Sequence, residues 1–157
     1  MKALSVQQPW ASLIGCGAKR YETRSWATSY RGPLAIHASA GFPRRARALL
    51  DDAACARALA RVLAPSGSPS AAALPLGCVI AIAMLADCVP TVPLADGLQP
   101  EERAFGDYAP GRWAWRLEGV CLLPEPVPAR GRLGLWQWQA DGTGQVLGAP
   151  ASSHLSH

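Results

Sequence analysis

Residues 4–40 read LSVQQPWASLIGCGAKRYETRSWATSYRGPLAIHASA. Apolar runs able to start a core alternate here with residues that a purely structural unit has little use for: Gln8, Trp10, Lys19, Glu22, Arg24, Trp26, Tyr30 and Arg31. Lys2–Val6 reads as a short strand, and Pro9 takes the first position of a following helix, a place that suits its fixed φ and missing N–H. Trp10, Leu13 and Ile14 fall at helical spacing, and Gly15 and Gly17 stop the helix within about two turns. Residues 20–26 alternate as a second strand, with Arg20, Glu22, Arg24 and Trp26 on one face. Arg31-Gly32-Pro33 reads as a turn, and residues 34–38 as a buried third strand with His37 near its end.

Beyond this unit the pattern is coarser. Pro43 opens a helix predicted to run to Leu63, with an apolar stripe through Leu49, Leu50, Ala53, Ala56 and Ala60, and Pro65 ends it. Residues 64–75 form a low-complexity loop expected to be mobile. Residues 77–89 are a long apolar strand, and residues 91–110 a connection interrupted by proline and glycine. Residues 112–120 and 133–139 are two further strands, expected to be joined by the turn LPEPVPARG. Residues 1–140 are thus expected to form one domain, and 141–157 a disordered tail. About six strands and two main helices, not alternating regularly, predict an α+β fold built on a small mixed barrel.

Composition narrows the function. Residues 1–61 carry ten Lys/Arg against three Asp/Glu, a net of +7, whereas the remainder carries five against eight, a net of −3. A basic half with aromatic residues among its charges suits an anionic partner such as RNA or DNA. For residues 44–61 taken alone, a solvated arginine-rich helix is an equally good reading. Five scattered cysteines, without C-x-x-C or a nearby histidine pair, argue against a zinc site and fit reduced thiols in a cytoplasm. No leader is read before the first strand, and the apolar run at 74–85 is too short to span a bilayer. Neither a phosphate-binding glycine loop nor a dinucleotide fingerprint is present, so no cofactor is expected.

Lys19 and Glu22, three apart at the entry to a strand, can approach one pocket. Burial of the amine would favour its neutral form and make it a base, and the carboxylate would oppose that shift. An exposed Lys–Glu pair is the structural alternative. Arg24, on the same face, is a planar donor for a base edge or a phosphate. Trp10, Trp26 and Tyr30 can stack on an unpaired base. Ser5 and Gln8 flank the first strand end, where Gln8 either caps the helix or reads a Watson–Crick edge. Trp113, Trp115, Trp136 and Trp138 recur at period two and read as core or barrel wall.

The run LSVQQPWASLI, the spacing G-x-K-x-x-E-x-R (Gly17, Lys19, Glu22, Arg24), and then SW and YRGPLAIHA resemble the ASCH domain family. Its barrel is related to the PUA domains of RNA-modifying enzymes, and one version is carried by a eukaryotic transcription coactivator. The segment FGDYAPGRWAWRLEGV (105–120) resembles the family's closing strand region. The resemblance implies a PUA-like barrel with a pocket for RNA or a modified base, binding through Ser5, Gln8, Trp10, Arg24, Trp26, Tyr30 and Arg31. Single-stranded RNA or a nucleoside is the implied ligand, with DNA as a second polymer.

Some small members resemble metal-independent hydrolases, acting on N4-acetylcytidine or single-stranded RNA. In the amidohydrolase pattern a lysine, a threonine three residues on and a later glutamate carry the chemistry. Lys19 matches the lysine, but Glu22 stands at the threonine position. The late carboxylate is Glu101, Glu102 or Asp107, with Glu102 carried forward beside Lys19 and Glu22 as the catalytic set.

Overall fold

Every β-strand but the outermost two has neighbours on both sides. A computed structural model describes residues 1–63 and 71–140; the expected tail at 141–157, and residues 64–70 of the expected loop, lie outside the described residues. The strands are β1 (Lys2–Val6), β2 (Tyr21–Arg24), β3 (Gly32–Ala38), β4 (Cys78–Pro90), β5 (Trp113–Pro128) and β6 (Leu135–Gln137). They form one sheet in the order β2-β5-β4-β3-β1-β6. All pairings are antiparallel except β1 with β3. Three register shifts along β4 and β5 bend those strands, because a bulge sharpens local twist. The sheet curls into a half-barrel, the α+β, PUA-like class expected.

The β-period sorts the core. Leu4 and Val6 of β1 join Leu34, Ile36, Trp115 and Leu117 on one face, and Ala3 joins Ala35, Val79, Trp136 and Trp138 on the other. All four expected core tryptophans pack in these clusters, with Trp113 partly buried. Helix α1 (Trp10–Gly15) covers the first face. Its Ala11 and Ile14 meet the sheet, and its Leu13 packs with Cys55, Leu59 and Phe105. Pro9 precedes α1 as its N-cap instead of filling its first position. Gly17 ends the helix with φ +82°, a left-handed conformation that favours glycine.

Several boundaries differ from expectation. The helix expected at 43–63 is broken into α2 (Arg44–Arg47), a 3₁₀ turn (Ala48–Asp51) and α3 (Ala53–Leu63). Asp52 is extended, at ψ 131°, and its side chain accepts the Cys55 N–H at 3.0 Å. A short acidic side chain prefers to cap a new helix over continuing an old one. The expected proline-rich turn is instead the end of β5, which pairs with β4 as far as Cys78↔Pro128. Strand β2 covers only residues 113–116 of β5. The far edge of β5 beyond them has no strand neighbour among the described residues, and such an edge is where proline is tolerated. Gly32 and Pro33, read as a turn, open β3. The connection at 91–110 holds two short helices, α4 (Thr91–Ala95) and α5 (Pro100–Ala104). Strands β2 and β6 are shorter than the spans 20–26 and 133–139 expected for them.

Candidate functional site

Where α1 ends, the Lys19 N–H bonds to the Leu13 carbonyl at 3.0 Å, fixing the chain as it turns into β2. A cavity of about 590 Å³ opens beside this turn, within the range of small-molecule sites. It is bounded by the end of β1, Trp10, Lys19, residues 22–26, Arg45 and Leu49, residues 104–107 and Arg112.

Lys19 is 1 % exposed. Its Nζ donates to the Phe105 carbonyl at 2.6 Å and lies 3.7 Å from Glu22 Oε1. Burial holds the amine pKa below its ordinary value, against the opposing pull of the Glu22 and Glu102 carboxylates. Glu22 Oε1 also accepts the Thr23 N–H at 3.1 Å, and its Oε2 lies 3.4 Å from Arg24 Nη2. Arg24 Nη2 donates to the Ser5 carbonyl at 2.6 Å, whereas its buried Nε has no acceptor among the described residues. An ammonium, a carboxylate and a guanidinium therefore converge on one cavity wall. Trp10 and Trp26 supply aromatic surface to it. Trp26 is braced edge-on by Trp115, at 4.7 Å between ring centroids and 89° between planes.

Five predicted residues besides Lys19 line the cavity: Ser5, Trp10, Glu22, Arg24 and Trp26. Ser5 is tied on the other side of the sheet to His37 Nδ1 at 3.0 Å and to the Trp136 indole N–H at 3.1 Å.

Four predicted residues lie elsewhere. Gln8 is fully buried; its Oε1 accepts the Ser12 N–H at 3.0 Å and its Nε2 donates to the Pro75 carbonyl at 2.9 Å. It braces the start of α1, whose N-cap is Pro9, from a buried position outside the cavity lining. Tyr30 donates its hydroxyl to the Pro33 carbonyl at 2.6 Å. Arg31 donates to the Thr28 and Tyr30 carbonyls, both at 2.9 Å, and faces Asp87. Glu102 accepts the Arg20 and Tyr21 N–H groups at 2.9 Å, so its carboxylate anchors the start of β2 from α5. Of the three late carboxylates, Asp107 lines the cavity, and Glu101 faces Arg57 at the surface.

Sequence reasoning missed Thr23, Arg45 and Arg112 as neighbours of Lys19 within one cavity, and named Asp107 only as one of three late carboxylates. Arg45 was visible only as one arginine of a basic helix. The Thr23 hydroxyl oxygen accepts the Asp107 N–H at 3.0 Å. Arg112 donates to the Asp107 and Thr23 carbonyls at 3.2 and 3.3 Å. Among the described residues, no three His, Cys, Asp or Glu side chains are grouped to hold a metal ion, and no helix is long and apolar enough to cross a membrane.

A curled mixed sheet with its cavity between the first helix and the motif strand defines a PUA-like domain. The family model described as the ASCH domain matches residues 4–120, and the chain belongs to that family. It is similar to activating signal cointegrator 1 of Homo sapiens, with 60 % identity over 40 residues, and to that of Mus musculus, with 55 % over 40 residues. Each match covers 26 % of this chain and 7 % of the relative, so the shared segment is a small part of those proteins.

Proposed function

We propose that this protein binds single-stranded nucleic acid, RNA foremost, and holds one unpaired base or modified nucleoside in the cavity beside Lys19. The observation that carries the reading is the joining, in one cavity, of two tryptophans with the Lys19–Glu22–Arg24 cluster. The indoles offer stacking surface worth about 1–3 kcal/mol per base. Glu22 accepts hydrogen bonds from ring N–H or amino groups, and Arg24 donates to ring carbonyls or phosphate. The five thiols, all free, suit work in a reducing cytoplasm.

Fluorescence titration with single-stranded RNA oligonucleotides tests the proposal. Affinity is expected at low salt and should fall steeply as salt rises, each neutralised phosphate adding about −0.7 to the slope of log K against log salt. No binding at low salt overturns the reading.

A second reading, hydrolysis, is favoured by one observation: an almost wholly buried amine with a lowered pKa stands beside Glu22 in a cavity that Thr23 also lines. Glu22 would take a proton from the attacking water or hydroxyl, and Lys19 would stabilise the developing oxyanion or deliver a proton. On N4-acetylcytidine, water would cleave the amide to give cytidine and acetate. Incubation of N4-acetylcytidine and single-stranded RNA with wild type and Lys19→Met, reading acetate release and strand scission, tests it. Turnover should drop by about 10²–10⁴-fold, the usual worth of a positioned acid or base. Undiminished turnover by a folded variant removes this reading.

A further inference from the structure

The cavity carries four cationic side chains, Lys19, Arg24, Arg45 and Arg112, against two carboxylates, Glu22 and Asp107. Three of the cations are already engaged. Lys19 and Arg24 share Glu22, and Arg112 pairs with Asp107 at 3.4 Å. Arg45 is left over. It projects from α2 at the exposed side of the cavity and, among the described residues, has neither a hydrogen bond nor an ion-pair partner. The buried Nε of Arg24, on the same cavity lining, also lacks an acceptor. The cavity thus holds an excess of positive charge and guanidinium donors short of oxygen atoms. A planar guanidinium fork matches phosphate oxygens two at a time.

We infer that the cavity selects nucleotides over nucleosides, with the Arg45 guanidinium as the phosphate contact. The inference rests on the base-binding reading proposed above and adds the orientation of the ligand. The base lies inward, between Trp10 and Trp26 and against Glu22, and the phosphate lies outward at α2. The neighbouring Arg44 is exposed on the same short helix but does not line the cavity, so it serves as the control for general surface charge.

Calorimetric titration of the full chain with the four nucleosides, their 5′- and 3′-monophosphates, dinucleoside monophosphates and inorganic phosphate tests the assignment. At least one monophosphate or dinucleotide should bind about tenfold or more tightly than its nucleoside, as expected for one hydrogen-bonded charge contact. Arg45→Ala should bring that ratio close to one, and Arg44→Ala should preserve it. Tighter binding of the dinucleotide than of either monophosphate assigns the contact to a strand's diester; the reverse order assigns it to a free nucleotide. Both orders support the contact. Equal affinity for nucleoside and nucleotide in the wild type overturns the inference. So does a preference that survives Arg45→Ala, or inorganic phosphate binding as tightly as any nucleotide. If nucleosides, nucleotides and RNA all fail to bind the wild type, the base-binding reading itself falls, and this inference falls with it.

Discussion

Glu22→Ala is expected to destabilise the fold by about 3–5 kcal/mol, the cost of removing one partner from a buried charge pair. Lys19 is 1 % exposed and cannot turn to water. Without Glu22, its ammonium keeps only the Phe105 carbonyl as a direct partner among the described residues. Arg24, whose side chain is 26 % exposed, can reach solvent and contributes less to the loss.

The pH dependence has a definite sign. The folded-state pKa of Lys19 lies below 10.5, so the penalty is full where the amine is charged in both states. It shrinks as pH rises past the lowered value toward 10.5. The double variant Lys19→Met/Glu22→Leu should recover most of the stability, since well-packed apolar side chains often replace a buried ion pair without loss. That variant should nonetheless bind no nucleotide. Urea unfolding of the three proteins at neutral and alkaline pH checks the set. A loss below about 1 kcal/mol for Glu22→Ala would mean that the pair behaves like a surface salt bridge.

Trp115→Ala carries the second large effect, about 3–5 kcal/mol for deleting a buried aromatic side chain. Trp115 is fully buried in the main core cluster, and its indole N–H donates to the Trp26 carbonyl at 3.3 Å. It holds Trp26 both by backbone and by ring edge. Removal should therefore weaken ligand binding even at temperatures where the variant remains folded. Trp113→Ala, at a partly buried position of the same strand, should cost less and leave Trp26 in place. Urea midpoints and RNA titration in the cold separate the two effects. Unchanged affinity in a folded Trp115→Ala protein would show that Trp26 needs no brace.

Much of the architecture was legible because residues 4–40 carry period-two and helical patterns separated by glycine and proline. Those signals located β1, α1, β2 and β3. Spacing within the same stretch singled out Lys19, Glu22, Arg24, Trp10 and Trp26, which share one cavity. Tyr30 and Arg31 belong to the same stretch but sit beyond the end of β2, where the Tyr30 hydroxyl and Arg31 Nη1 donate to nearby carbonyls and Arg31 Nη2 faces Asp87.

The remainder depended on long-range packing. Nothing local marks Glu102 as the acceptor for backbone N–H groups more than eighty residues away. The prolines at 124, 126 and 128 read as a turn because sequence does not reveal that one edge of β5 has no strand partner. The break at Asp52 turns on a choice between continuing and capping, and the apolar stripe of the helix hid it. Arg45 joins the cavity lining only through tertiary packing, which no local pattern announces.

The sheet order also bears on when the pocket can form as the polypeptide emerges from a ribosome. Among the described residues, strand β2, which carries Glu22 and Arg24, has a single hydrogen-bonded neighbour, and that neighbour starts at Trp113. Strands β1 and β3 can pair as soon as residue 38 has left the exit tunnel, but β2 between them has no template until residues 113–116 have followed. The signature motif is thus made early and ordered late, and for most of synthesis its charged side chains remain in water.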